Sequence, residues 1–260
     1  MPTASASPWN PDQYAKFRDE RSQPFFDLLA LVQPTPGGRA IDLGCGPGEL
    51  TPLVHAKSEA RSTLGLDNSE TMLAKSSSFS GGGVSFKLGT ILRFAPRKPF
   101  DLIFSNAALQ WVPSHEKLFE RLTAGLAEGG QLAVQMPANN DHPSHQTAHA
   151  VAREEPFASE MGGYYREWPV MAPEWYAELL ERMGYREQSV RLQVYGHHLE
   201  SRDAVVEWVR GTLLTDYQQR LSPETYERYL ERYRERLLPQ LAETKPYFYA
   251  FKRVLIWARK

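Results

Sequence analysis

The residues with the clearest chemical purpose are Asp42-Leu43-Gly44-Cys45-Gly46-Pro47-Gly48, an acid at the end of an apolar run followed by alternate glycines. Glycine has no Cβ, so its backbone can take positive φ and come close to a ligand. The plainer reading is a tight strand-to-helix turn that binds nothing. A second acid, Asp67, ends Gly65-Leu66-Asp67-Asn68-Ser69. At the end of the next strand such a carboxylate can accept from two ribose hydroxyls; alone, it could merely cap the following helix. A nicotinamide cofactor fits less well. The third glycine of Gly-x-Gly-x-x-Gly falls on Glu49, and a pyrophosphate prefers a helix N-terminus free of fixed anions. Asp42 and Glu49 suit a cofactor that carries an ammonium and a sulfonium.

The elements that must hold these residues alternate. The pattern predicts strands at Arg39–Leu43, Ser62–Leu66, Val84–Leu88, Phe100–Ser105 and Gln131–Met136, with helices at Leu50–Ala60, Glu70–Ser76 and Glu116–Ala127, the last capped by Gly129-Gly130. Strands alternating with helices imply an α/β fold with a doubly wound, mostly parallel sheet, whose ligands sit beyond the carboxyl ends of the strands. After Pro137 the rhythm changes. Residues 138–175 read as irregular, Trp175–Met183 as a helix, Gln188–Tyr195 as a strand, 203–240 as helical and Phe248–Ala258 as a closing strand. Tyr226, Tyr229, Tyr233 and Leu237 form an aromatic stripe that reads as core rather than as a cofactor contact.

The 260 residues have 30 basic and 31 acidic side chains and a formal net charge of -1. No basic excess favours nucleic acid or an anionic membrane. No apolar run approaches the ~20 residues of a membrane span, and Met1–Pro8 lacks the pattern of a secretion signal. Cys45 is the one cysteine, so no intrachain disulfide can form and a reducing, cytoplasmic setting is expected. A monomer acting on a small molecule, with no nucleic-acid or membrane partner, is the expected form.

The Asp42–Gly48 turn with Asp67 resembles the class I S-adenosylmethionine-dependent methyltransferases. Trp9-Asn10-Pro11-x-x-Tyr14, Glu20-Arg21-Ser22, Asp101 to Trp111 (DLIFSNAALQW), Ala133-Val134-Gln135-Met136-Pro137 and Ala250-Phe251-x-Arg253 are similar to the trans-aconitate 2-methyltransferases. The likeness runs from Trp9 to the C-terminus and is tightest up to Pro137. It implies a Rossmann-like fold in a single domain over 1–260, with lid helices at 9–33, a cofactor-binding core at 39–137 and cap insertions at 138–175 and 203–240. It implies S-adenosylmethionine as cofactor. Gly44, Gly46 and Gly48 would line its methionine part together with Asp42. Asp67 and Asn68 would hold the ribose side, Met72, Thr90 and Ile91 the adenine side, and Asn106 and Ala107 the sulfonium, while Arg21 would pair with the methionine carboxylate. Thr90 stands where the family usually places an acid for the adenine amino group.

Methyl transfer from a sulfonium is an in-line displacement, so the enzyme chiefly aligns its reactants and removes water. A carboxylate acceptor is already ionised at neutral pH and needs no base; a phenol or amine usually does. Asn106, Gln110 and Trp111 are expected to align the acceptor, with Trp9, Tyr14, Trp111, His145 and Arg253 binding it. Arg166 and Arg210 are further cations. Where relatives carry Gly-Leu-Arg-Pro, this chain reads Gly211-Thr212-Leu213-Leu214, which opens a second reading, an O-methyltransferase for a more apolar or phenolic metabolite. A third is a non-catalytic cofactor-binding regulator. His142, His145 and His149 could share a helix face, but no acidic partners accompany them and Pro143 interrupts, so no metal is expected.

Overall fold

The computed structural model describes residues 22–164 and 166–260. A seven-stranded sheet takes the order β3-β2-β1-β4-β5-β7-β6. Its strands are β1 (Arg39–Leu43), β2 (Ser62–Asp67), β3 (Val84–Leu88), β4 (Phe100–Asn106), β5 (Leu126–Pro137), β6 (Glu187–Leu199) and β7 (Tyr247–Arg259). The ladders β3-β2, β2-β1, β1-β4 and β4-β5 are parallel, and β5-β7 is antiparallel. The sheet is therefore mostly parallel, as the alternation required. The first strand lies at the centre with Ala40, Ile41, Asp42 and Leu43 buried, as a strand covered on both faces must be. Its far end is the switch point where chain order reverses, which is where ligands bind in such sheets.

Helix α1 (Gln23–Leu31) starts with Pro24 in its first turn and buries Phe25, Leu28 and Leu29. Phe25 meets Phe104 edge-on, ring centroids 5.5 Å apart. Beyond the other end of the helix, Gln33 exchanges hydrogen bonds with Gln131. Phe104 pairs with Ala133 and Leu102 with Gln131. The N-terminus of α1 therefore points to the carboxyl edge of the sheet. Of the expected lid at 9–33, residues up to 21 lie outside the described residues.

Helix α2 (Thr51–Ser58) carries Pro52 in its first turn, where its missing N–H costs nothing. The helix expected over Glu70–Ser76 stops early. Short α3 covers Glu70–Leu73, and a tighter turn follows at Ser76–Phe79. The Ser76 and Ser78 hydroxyls donate back to Leu73 O and Lys75 O, at 2.7 and 3.0 Å, the competition by serine that weakens helices. Helix α4 (His115–Ala124) likewise ends three residues before the expected Ala127, capped by Gly125 rather than Gly129-Gly130. Strand pairing decides this: Phe100 pairs with Leu126, and its N–H donates to Gly125 O at 2.9 Å.

The chain divides into two compact units. Among the described residues, the first comprises those up to 137 with 169–193 and 253–260; the second comprises those within 138–168 and 194–252. These bounds are narrower at the first expected insertion and wider at the second than 138–175 and 203–240. The first unit adds α7, whose full range is Pro173–Arg182; the earlier helices α5 (Pro143–Ala152) and α6 (Phe157–Glu160) belong to the second.

Helix α5 corrects the expectation of irregular chain after Pro137. Pro143 does not interrupt it but begins it, and the His142 ring caps it by accepting from Ser144 N at 3.1 Å. The second unit also holds α8 (Ala204–Arg210), α9 (Thr215–Gln218) and α10 (Pro223–Leu237). The tyrosine stripe of α10 is core, as its spacing predicts: Tyr226, Tyr229, Tyr233 and Leu237 are buried. The Tyr229 and Tyr233 hydroxyls donate to Ala148 O and Ser144 O of α5, at 2.8 and 2.9 Å.

Candidate functional site

The glycine turn is stitched to the end of β2. Gly44 N and Cys45 N both donate to Leu66 O, at 2.7 and 3.2 Å. The Asp67 carboxylate accepts from Gly46 N and from Ser69 N, each at 2.9 Å. Both oxygens keep further lone pairs for hydroxyl donors. Two glycines are obligatory for different reasons. At Gly44 φ is +77°, and an added Cβ would lie 2.2 Å from the Ala108 Cβ, so the turns after β1 and β4 touch through it. At Gly46 φ is +57° and an added Cβ would meet open space. The first glycine permits packing; the second leaves a cradle that a side chain would fill.

Asp42 is 4% exposed and accepts from the Thr51 hydroxyl at 2.7 Å. Burial pushes its carboxyl up to about 6, against the lowering effect of the Thr51 bond and with a small further rise from Asp67. A carboxylate kept under such strain is stabilised by a cation. Cys45 is half-buried and its thiol is raised by burial and by both acids, so it holds its proton and is no nucleophile.

Along the same edge, Thr90 accepts from Leu92 N at 3.2 Å, capping the turn Ile91–Arg93; one lone pair remains. Ile91 approaches the glycine turn: its Cδ1 would lie 3.8 Å from a Cβ on Gly44. Met72, Leu92 and Trp111 are large apolar residues left about half exposed, and Asn68 is exposed. Trp111 is therefore not core.

Asn106 ends β4, and Ala107 follows at φ +54°, a conformation that strains alanine by about 1–2 kcal/mol. The turn is held: Ala107 N donates to Gln135 O at 2.9 Å, and Gln110 Nε2 donates to Ala107 O at 2.7 Å. Asn106 pairs with Gln135, and Pro137 with Arg253. Ladder mates and every second residue share a face. Asn106, Gln135 and Arg253 therefore stand on one face at the carboxyl edge. Gln135 is fully buried, and sequence reasoning passed over it as part of a core strand. A glutamine inside Ala133-Val134-Gln135-Met136 was the available signal, because an amide is costly there without a partner.

The other acceptor-side expectations divide. Trp9, Tyr14 and Arg21 lie outside the described residues. His145 lies in the second unit, buried, packed edge-on to Trp168 and against Phe251. Burial above all, with neighbouring His149 and His142, pushes its ring down to about 3, so it presents a neutral ring at physiological pH. Arg166 is buried in that same unit, with its guanidinium 5.4 Å from the Trp168 ring centroid. Arg210 is a surface residue between Glu207 and Glu227. Leu213 and Leu214 are 4% and 0% exposed in the core of the second unit. Of the residues that depart from the family pattern, Leu213 and Leu214 thus pack inward, while Thr212 is exposed. Among the described residues, no group of three or more His, Cys, Asp or Glu is placed to hold a metal ion, and no helix is long and apolar enough to cross a membrane.

Comparison with known proteins agrees with this geometry. A family model described as a methyltransferase domain matches residues 34–175, more than half of the chain. A trans-aconitate 2-methyltransferase of Deinococcus radiodurans is 41% identical over 258 residues, covering 97% of this chain and 98% of that protein. One of Variovorax paradoxus is 40% identical, covering 97% and 98%. Among solved structures, YcgJ of Bacillus subtilis superposes with a TM-score of 0.56 at 17% identity, covering 92% of this chain and 98% of that one. A phosphoethanolamine N-methyltransferase of Haemonchus contortus, solved with S-adenosylhomocysteine, gives 0.54 at 17% identity; this chain spans 52% of its length. These structures share the fold. The chain belongs to the trans-aconitate 2-methyltransferase family of S-adenosylmethionine-dependent methyltransferases.

Proposed function

We propose that this protein transfers the methyl group of S-adenosylmethionine to a carboxylate oxygen of trans-aconitate or a closely similar polycarboxylic acid. The observation that carries the reading is the face shared by Asn106, Gln135 and Arg253 at the carboxyl edge, which begins on β4, the strand beside the one that leads into the Asp42–Gly48 turn. It sets amides and a cation where an acceptor would lie, in a chain whose relatives are named for trans-aconitate. The inward packing of Leu213 and Leu214 removes the main support for an apolar acceptor.

The residues fit the cofactor. Asp42 takes its ammonium, the open backbone at Gly46 its methionine chain, Asp67 its ribose hydroxyls, and Met72, Thr90 and Ile91 its adenine. When bound, the cofactor supplies a methyl carbon made electrophilic by the sulfonium. The acceptor oxygen is already anionic, so the protein need not remove a proton. Its residues orient the carboxylate, through Arg253 and the amides, and keep water away. A fixed donor set contributes most when water is excluded.

The deciding measurement is a methyl-transfer screen with labelled S-adenosylmethionine against polycarboxylic, phenolic and fatty acids. Turnover is expected with polycarboxylates and not with neutral phenols. Turnover confined to phenols would overturn the reading, and cofactor binding with no turnover of any acceptor would favour a regulator.

A further inference from the structure

Gln131 and Gln135 stand four residues apart on one face of β5, and both are buried. Their treatment differs completely. Gln131 is satisfied on both sides: its Oε1 accepts from Gln33 N at 2.9 Å and from Trp257 Nε1 at 3.0 Å, and its Nε2 donates to Gln33 O at 2.9 Å. Gln135, at 0% exposure, has no partner for either its Oε1 or its Nε2 among the described residues. Two neighbours share the condition in part. Among the described residues, Asn106, its ladder mate, leaves Oδ1 without a partner, and Gln110 leaves Oε1 without one while its Nε2 is committed to Ala107.

A buried amide with neither bond made bears the full desolvation of both polar atoms, and native cores rarely keep such a group. Leucine or methionine at 135 would fill the volume without that cost. Several orphaned amide atoms gathered at the carboxyl end of β4 and β5 therefore point to a polar ligand. The two orphaned neighbours are oxygens, which repel a carboxylate. Gln135 brings an orphaned N–H, and Arg253 stands two residues further along the edge from its ladder neighbour Leu255, about 7 Å by strand rise.

We infer that Gln135 is an acceptor-binding residue: its amide N–H donates to a carboxylate of the methyl acceptor and fixes that group beside Arg253. This rests on the polycarboxylate reading above. It makes Gln135 a selectivity element, because an amide donor distinguishes a carboxylate from an apolar group of similar size.

The test compares Q135M and Q135E with the unaltered protein in three measurements: melting temperature, S-adenosylmethionine affinity by calorimetry, and steady-state kinetics with trans-aconitate and its monoamide analogues. Q135M should melt at the same temperature or higher, bind the cofactor within twofold of normal, and lose about ten- to hundred-fold in kcat/KM, the range expected for a hydrogen bond to a charged group. The loss should be mainly in KM. Q135E should lose more with trans-aconitate than with a carboxamide analogue, since its anion repels one and accepts from the other. Unchanged acceptor kinetics in Q135M, or a fall in melting temperature and cofactor affinity parallel to the fall in activity, overturns the assignment. If the unaltered protein methylates no polycarboxylate, the functional reading fails first, a result that the wild-type control separates from failure of Gln135 alone.

Discussion

Asp42 shows how much chemistry one residue's surroundings can impose. Its carboxyl is 4% exposed and raised to about 6. A group raised in the folded state supports folding most where it is protonated in both states, below its ordinary value near 4. That support is lost as pH rises through 6, on the order of 3 kcal/mol for a shift of this size. The apo protein thus carries a buried anion at neutral pH, which the ammonium proposed to bind there would relieve. S-adenosylmethionine affinity should accordingly fall by up to about tenfold per pH unit below 6, and Asp42→Asn should bind weakly with a flat profile. A pH-independent wild-type affinity from 5 to 7.5 would remove Asp42 from the ammonium site. Asp67 has a different task. Its oxygens already hold Gly46 N and Ser69 N, so Asp67→Ala should both loosen the turn and remove the acceptors for two hydroxyls. A loss of about 1.5–3 kcal/mol in cofactor binding is expected from calorimetry.

At the scale of the element, the turn after β1 separates two uses of glycine that look alike in sequence. Gly44→Ala forces a Cβ to 2.2 Å from the Ala108 Cβ at positive φ. Neither atom is the end of a flexible chain, so destabilisation above about 2 kcal/mol is expected. Gly46→Ala meets no atom and bears only its positive φ, about 1 kcal/mol. Both variants should lose cofactor binding, but only Gly44→Ala should lose much melting temperature. Normal S-adenosylmethionine affinity in a folded Gly46→Ala protein would show that this residue does not face the ligand.

For the molecule as a whole, a carboxylate acceptor that is already anionic calls for no metal, and the described residues bear on the same expectation. No ligand cluster is assembled among them; the His142, His145 and His149 ring nitrogens Nδ1 are taken up with Ser144 and Tyr217. Methyl transfer should be indifferent to a chelator; activity abolished by one and restored by magnesium or zinc would contradict this. A second expectation concerns the leading segment. The N-terminus of α1 points to the carboxyl edge, and Trp9, Tyr14 and Arg21 precede it in sequence. A protein lacking residues 1–20 should keep a folded sheet and lose methyl transfer far more than thermal stability. Full-rate turnover by that truncated protein would exclude a part for the segment in the site.

The strands, their mostly parallel ladder and the glycine turn after β1 were legible without coordinates, because each rests on local rules. Period, β-branched runs and glycines at fixed spacing act within a few residues of one another. The element ends after Leu73 and Ala124 were not legible, because a serine run and the pairing of Phe100 with Leu126 decided them. Nor was helix α5, whose start at Pro143 depends on the ring of His142. The acceptor side depended most on the fold. Trp111 could have been core or surface, and its exposure settled on surface. Gln131 and Gln135 are the same residue type four positions apart, and no local rule distinguishes them. One meets the backbone of Gln33, 98 residues away in sequence, and the side-chain amide of the other has no hydrogen-bond partner among the described residues. Contacts at such separation are set by packing of the whole sheet, so the sequence determined the strand, the acid and the alternate glycines of the Asp42–Gly48 turn, while only the tertiary structure decided which buried amide is left without a partner among the described residues.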